Sequence, residues 1–316
     1  MANRSGMLQT SLRKSVVVKG VGVHGGRPVS MTLSPAEAGT GIVFRRTDIA
    51  EAIEISASIE NLAATESCTS VGRMGFSVAT IEHLMASFNG LGVDNVAIEI
   101  DGPEVPIMDG SAREFVDLID RAGLQTLSAP RRFIKILRPV RLEQGSSFAE
   151  LQPFEGRRFA IDIDFSSPLI GRQSFGFDLT PSSFRRDLAR ARTFGFLSDV
   201  EAYWSRGLAL GSSLENTVVL GEDRVINPEG LRFSDEFVRH KALDAVGDLA
   251  LAGMPILGAY RSYRGGHRLN ARIVEALLSD SRAFTIVEGV APARRETVRG
   301  EVAAQLATAA FGPQNN

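Results

Sequence analysis

The chain has 316 residues, 35 Lys and Arg against 37 Asp and Glu, and 44% hydrophobic residues. That length and composition suit an ordinary globular protein of about two domains, and a net charge of −2 excludes a general affinity for nucleic acid. With a single cysteine, Cys68, neither an intrachain disulfide nor a cysteine-based zinc cluster can form, which fits a reducing compartment and makes the cytoplasm the expected location.

Residues 15–34 alternate apolar and polar side chains through SVVVKGVGVHGG and RPVSMTLSP, which predicts a strand pair turned at Gly25–Gly26. The apolar run Ser15–Val18 is too short for a signal-peptide core, and no stretch approaches the ~18 apolar residues of a membrane helix. GIVFRR (41–46) is a further strand. In TIEHLMASFNGLG, Ile81, Leu84, Met85 and Phe88 recur at i, i+3, i+4 and i+7, the stripe of a helix packed on one face. Thr80 is its expected N-cap, and Gly90 and Gly92 its end. NVAIEI (95–100) reads as a strand, and DGSAREFVDLIDRAGL (109–124) as a helix capped by Asp109 or Ser111.

LQTLSAPRR (124–132) is polar and carries a proline, so a domain boundary is placed there. This gives an N-terminal α+β domain over 1–127, a C-terminal α+β domain over 128–290 and a tail over 291–316 that is expected to be loosely ordered. FIKILRPVRLEQ, FAELQPF and RFAIDIDF then read as strands, and a helix is expected near Pro181–Arg192. Residues 196–224 are unusually apolar for a connection. A strong helix covers about 235–252, PILGAYRSY is a strand and LNARIVEALLSD a helix. Both halves run strands, helix, strand, helix, a pattern that duplication and coincidence explain equally well.

Three of the four histidines sit near carboxylates. On the 235–252 helix, His240, Asp244 and Asp248 fall at about 0°, 40° and 80°, opposite an expected packing face of Val238, Ala242, Ala245, Val246 and Leu249. A His and an Asp four residues apart can reach one metal ion, although the same spacing more often marks a solvated polar face. Glu82 and His83 point away from the apolar stripe of their helix, which by itself describes a surface pair. Joined to His240 and Asp244, His83 completes two imidazoles and one carboxylate, the ligand set that leaves zinc one open position, with Glu82 beside it as a base. His267 in RGGHRLN either starts a helix or offers a cation to an oxyanion or a leaving amine.

GVGVHGG, TIEHLMA, GVDNVAIEIDGPEVPIMDGSA, ARTFGF, LRFSDEFVRHKALDAVGDL and GGHRLN occur in this order over roughly residues 9–285. In these stretches the chain resembles the UDP-3-O-acyl-N-acetylglucosamine deacetylases, zinc enzymes that commit the pathway to lipid A. The resemblance implies two α+β domains, each a sheet layered against helices, with the active site between them. It implies metal ligands at His83, His240 and Asp244, a general base at Glu82, a second catalytic group at His267 oriented by Asp248, and an oxyanion contact at Thr193. It further implies substrate contacts at Phe194, Lys241, Asp199 and Arg264, and an acyl-chain passage over 196–224 that includes Val200 and Leu214. Phe196, Leu197, Tyr203, Trp204, Leu208 and Leu210 make that passage chemically plausible, since each buried methylene contributes about 0.8 kcal/mol. Ala271 stands where the family motif ends in asparagine, and Arg264 where many members carry lysine.

The implied reaction is zinc-dependent hydrolysis of the N-acetyl group of an acylated UDP-sugar, releasing acetate. The partners expected are that small molecule and one Zn2+, with Fe2+ or cobalt as alternative occupants of such a site, in a monomer that spans no membrane. The alternatives are a zinc deacylase for a different acylated amino-sugar nucleotide and a relative that binds without catalysis, although no ligand or base is missing here. His24 is read as a loop-stabilising residue and Cys68 as a packing residue.

Overall fold

The computed structural model describes residues 8–50 and 53–289. The first half contains β1 (Leu8–Leu12), β2 (Val16–Val21), β3 (Pro28–Pro35), β4 (Ile42–Arg46), β5 (Glu54–Ser56), β6 (Leu62–Ala64), β7 (Ser70–Arg73) and β8 (Phe76–Val78). α1 (Glu82–Leu91), β9 (Val96–Ile100), α2 (Arg113–Ala122) and β10 (Leu124–Pro130) complete it. A five-stranded sheet runs β2–β3–β9–β4–β5, antiparallel except for the β9–β4 pair. Period-2 patterning explains its packing: Val29, Met31 and Leu33 of β3 all face the core.

The second half contains β11 (Arg132–Ile136), β12 (Val140–Gln144), β13 (Ser147–Gln152), β14 (Arg157–Asp164), β15 (Arg172–Asp178), α3 (Pro181–Ser183), β16 (Phe194–Phe196) and α4 (Val200–Ser205). β17 (Val218–Leu220), α5 (Glu236–Asp248), β18 (Ile256–Tyr263), α6 (His267–Ser279) and β19 (Phe284–Glu288) follow. β18 organises a seven-stranded sheet, pairing with β13 antiparallel and with β11 and β14 in parallel. The fold is therefore α+β, with one large sheet and its helices in each half. No described helix is long and apolar enough to cross a membrane.

Several local expectations are overturned. Residues 124–130, where the sequence places a domain boundary, form a strand: β10 pairs antiparallel with β1. Thr80 does not cap α1; its backbone is left-handed (φ 57°) and its hydroxyl donates to Glu104 Oε1. The helix expected over Pro181–Arg192 is one short α turn followed by a π-helical turn, Phe184–Leu188. The helix expected over about 235–252 does form, α5 to Asp248 continuing as a 3₁₀ turn over Leu249–Ala252. The 291–316 tail lies outside the described residues.

The most consequential difference concerns α1 and α5. Each was expected to bury one face, yet Glu82, His83, His240, Asp244 and Asp248 are all buried. The two helices pack against each other, so their polar stripes form a seam between helices and not a solvated surface. Gly247 makes the close approach feasible: a Cβ there would lie 2.0 Å from the Glu82 carbonyl oxygen and 3.1 Å from the Ala86 nitrogen. Gly247→Ala should therefore cost about 2 kcal/mol or more and lower Tm by several degrees. Gly176→Ala, where the nearest neighbour is 3.7 Å away, should leave Tm nearly unchanged; equal thermal melts for the two variants would refute the crossing argument.

Candidate metal centre

His83 stands one residue into α1, and His240 and Asp244 lie one turn apart on α5. Their candidate ligand atoms all fall within 4.8 Å of one another. Asp244 Oδ1 is 3.3 Å from His240 Nε2 and 3.6 Å from His83 Nε2. A tetrahedral ion with bonds of about 2.0–2.1 Å has ligand–ligand edges of roughly 3.4 Å, so these spacings suit a single small cation. The imidazole rings meet edge-on, 5.0 Å between centroids.

The hydrogen bonding agrees with that fit. Asp244 Oδ1 is buried and accepts no hydrogen bond among the described residues, an arrangement that costs about 1–3 kcal/mol for a group with nothing to bind. Its partner oxygen, Oδ2, accepts from Lys241 Nζ at 2.9 Å. His240 Nδ1 lies 3.2 Å from the Ala191 carbonyl. Donation there fixes the tautomer that leaves Nε2 free to ligate. Burial lowers His240 to about 3, so at neutral pH it is the neutral imidazole, the form able to bind a metal. Burial pushes Asp244 up, but His240 and the Lys241 ammonium outweigh it and hold the carboxyl well below its usual range.

Two more groups adjoin the cluster. Burial raises Glu82, against the pull of His267 and His83, which brings its basicity closer to neutral. Glu82 Oε2 accepts from the Thr69 backbone N–H at 3.0 Å. His267, at the N-terminus of α6, places Nδ1 2.9 Å from Asp248 Oδ2. Burial alone would lower His267, but Asp248, Asp244 and Glu82 raise it to about 9.

Sequence reasoning gave no role to Thr69, Asn270 or Ala191. Thr69 Oγ1 donates to Asp248 Oδ1 at 2.6 Å while its N–H holds Glu82, so one residue touches both titratable groups. It lies in a loop with no periodic signal. Asn270 Nδ2 donates to Asp248 Oδ2 at 2.8 Å, and its side-chain oxygen accepts from Tyr260. Its position three residues after His267 on one helix face was a usable clue.

Lys241 and Arg264 line a cavity of about 480 Å³ with Ser146, Asp164, Phe165 and Gly265. Phe194 sits beside His240, 6.2 Å between centroids, and 6.0 Å from Lys241 Nζ. Thr193 immediately precedes it and donates its N–H to Gly110 O. Asp199 is exposed, hydrogen-bonded to Ser198, and the structure gives it no contact with the cluster. Val200 starts α4 half-buried, and Leu214 is exposed. The main-chain N–H groups of His24 and Gly25 donate to Glu104, and both ring nitrogens of His24 are buried without a partner among the described residues. Cys68 is buried, its thiol pushed up to about 11 by burial, consistent with packing.

An α+β protein whose facing helices bring two imidazoles and one carboxylate together beside a buried glutamate has the make-up of a mononuclear metallohydrolase. The family model for UDP-3-O-acyl N-acetylglycosamine deacetylase matches residues 9–279, and the chain belongs to that family. Proteins named UDP-3-O-acyl-N-acetylglucosamine deacetylase from Brucella ovis, Brucella abortus and Brucella melitensis are each 53% identical to it over 281 residues, 89% of this chain and 98% of theirs.

The His267–Asp248 pair makes a measurable prediction. Because His267 is raised above its ordinary 6.5 to about 9, its contribution to stability is fully present below about pH 6.5 and is lost as pH rises through 9. In chelator-treated protein, the His267 ring should titrate near 9 by NMR. Restoring a divalent cation should move the titration lower, through like-charge repulsion. A metal-free value near 6.5 would remove the pairing from the account.

Proposed function

We propose that this chain hydrolyses the N-acetyl group of UDP-3-O-acyl-N-acetylglucosamine, releasing acetate and the free amine, as a cytoplasmic, zinc-dependent step in lipid A biosynthesis. The single observation that carries the proposal is the convergence of His83, His240 and Asp244 on one buried point, with Glu82 and His267 beside it. When bound there, zinc would act as a Lewis acid on the amide carbonyl and on the attacking water. His83, His240 and Asp244 would hold it.

The chain's own groups supply the rest. Glu82, made more basic by burial, takes a proton from the water. His267 enters protonated because Asp248 fixes its Nδ1–H, which leaves Nε2–H to stabilise developing negative charge or to protonate the leaving nitrogen. Thr193 adds a hydrogen bond to that charge. Lys241 and Arg264, facing one cavity, suit the sugar and diphosphate, Phe194 supplies an apolar wall to the sugar, and Asp199 contacts the sugar and nucleotide from the rim. Val200 and Leu214 belong to the acyl passage. Its apolar rim is open: Leu197, Trp204 and Leu210 are 54%, 57% and 53% exposed, three large apolar side chains within fourteen residues that an acyl chain could cover.

Acetate release from UDP-3-O-acyl-N-acetylglucosamine should vanish on chelation and return with zinc. Glu82→Ala should keep its metal yet lose about 10²–10⁴-fold in kcat. Full turnover by metal-loaded Glu82→Ala would overturn the role of the base. Shortening the acyl chain should raise KM while leaving kcat within a few-fold. Indifference to acyl length would sink the passage.

A further inference from the structure

α5 presents Glu236, His240, Asp244 and Asp248 at successive i+4 steps, so one slowly drifting face carries all four. Three of them belong to the centre described above. The fourth, Glu236, is completely buried and in the first turn, one turn before the ligand His240. It does not face the metal cluster. Instead it grips the segment 191–194, which runs past the centre.

The grip is extensive. Glu236 Oε1 accepts from the Arg192 backbone N–H at 3.0 Å and from Arg192 Nε at 2.9 Å. Oε2 accepts from Arg192 Nη2 at 3.2 Å and from the Arg232 N–H at 2.6 Å. Arg192, 1% exposed, has its remaining nitrogen and a second Nη2 bond taken by Glu229 and the Gly230 carbonyl. The segment continues along α5: Phe194 packs edge-on against Phe237, 5.0 Å between centroids. On either side of Arg192 stand the two backbone positions that matter to the centre. Ala191 offers its carbonyl to His240 Nδ1, and Thr193 is fixed from the other direction by Gly110 O and Val218 N–H. Gly110 is required there, since a Cβ would lie 1.9 Å from Asn216 O.

A buried ion pair of this kind is poor evidence for stability. Desolvating two charges costs about what their attraction returns, and apolar replacements are often neutral or better. What such a pair does well is fix one geometry. We infer that the Arg192–Glu236 pair is a positioning device: it clips residues 191–193 to the first turn of α5, so that the Ala191 carbonyl orients His240 for the metal and Thr193 faces the reacting amide. The inference rests on the metal site proposed above, but its first readout is metal affinity, which needs no substrate. A wrong substrate assignment therefore leaves this test intact.

The test uses the full-length chain. Arg192→Met/Glu236→Leu removes the pair with little change in volume, and Glu236→Gln keeps the shape while turning one acceptor into a donor facing Arg192 and the Arg232 N–H. Leu12→Ala, a core variant in β1 remote from α5, controls for general destabilisation. Zinc affinity is measured by chelator competition, and ligand geometry by the visible spectrum of the cobalt(II) form. Both pair variants should bind zinc about 10–100-fold more weakly and shift the cobalt bands. Leu12→Ala should melt earlier with zinc affinity and cobalt bands unchanged. With zinc saturating, kcat should fall while KM stays within about threefold. If the double variant does not fold, Glu236→Gln alone decides. A folded pair variant with wild-type zinc affinity and an unshifted cobalt spectrum would overturn the inference, as would an equal loss of affinity in Leu12→Ala.

Discussion

The contact between α1 and α5 at Gly247 is the constraint on which the rest of the molecule depends. The candidate ligand groups come from two helices far apart in sequence, and His83 on α1 can meet His240 and Asp244 on α5 only where the two backbones come close. A glycine opposite Glu82 permits that approach, and α5 is backed on its other side by β14 and β15. The crossing places His83 and Glu82, adjacent in sequence and about 100° apart around α1, against His240 and Asp244 on the facing helix. Geometry of this kind is set by packing of whole elements, which is why it can be held to tenths of an ångström without a rigid loop.

That seam is electrostatically unusual. Glu82, Asp244 and Asp248 are buried carboxylates, opposed by Lys241 and by a His267 held protonated to about pH 9. Counted formally, three negative groups face two positive ones, and Asp244 Oδ1 has no hydrogen-bond partner among the described residues. A divalent cation would turn the balance to one net positive charge, and proton transfer from water to Glu82 would move one negative charge from that carboxylate onto the oxyanion without changing the total. Part of the cost of burying these groups would therefore be offset only when a cation is bound.

Much of the centre was legible in the sequence, because i, i+4 spacing and the adjacency of Glu82 and His83 are local facts. The orientation of the helices was not. A helical wheel assumes one buried face, and α1 and α5 each bury nearly every residue, so the polar stripes were read as surface. The β1–β10 pairing escapes the sequence for a related reason: Leu124–Pro130 carries Gln, Thr, Ser and a terminal Pro, and its strand character comes from a partner more than 110 residues away, Leu12 opposite Leu124, not from its own composition. Ser and Thr before a helix usually cap it, whereas the Thr80 hydroxyl is captured by Glu104, 24 residues away and invisible to local spacing. Thr69 and Ala191 act through a loop hydroxyl and a main-chain carbonyl, groups that sequence spacing does not report.

The apolar stretch 196–224 illustrates the converse. Composition alone would bury it, and an ordinary core segment would indeed sink its leucines and tryptophan. Instead α4 and its flanks leave Leu197, Trp204 and Leu210 mostly in solvent, while the chain is pinned by backbone bonds from Leu210 N–H to His24 O and from Gly211 N–H to Val23 O. A segment held in place by its main chain but left unpacked by its side chains has apolar surface to spare at a defined location. An acyl tail laid against it would bury both surfaces at once, each methylene contributing about 0.8 kcal/mol. On the proposed function, the segment makes physical sense as one half of a hydrophobic contact whose other half arrives with the substrate.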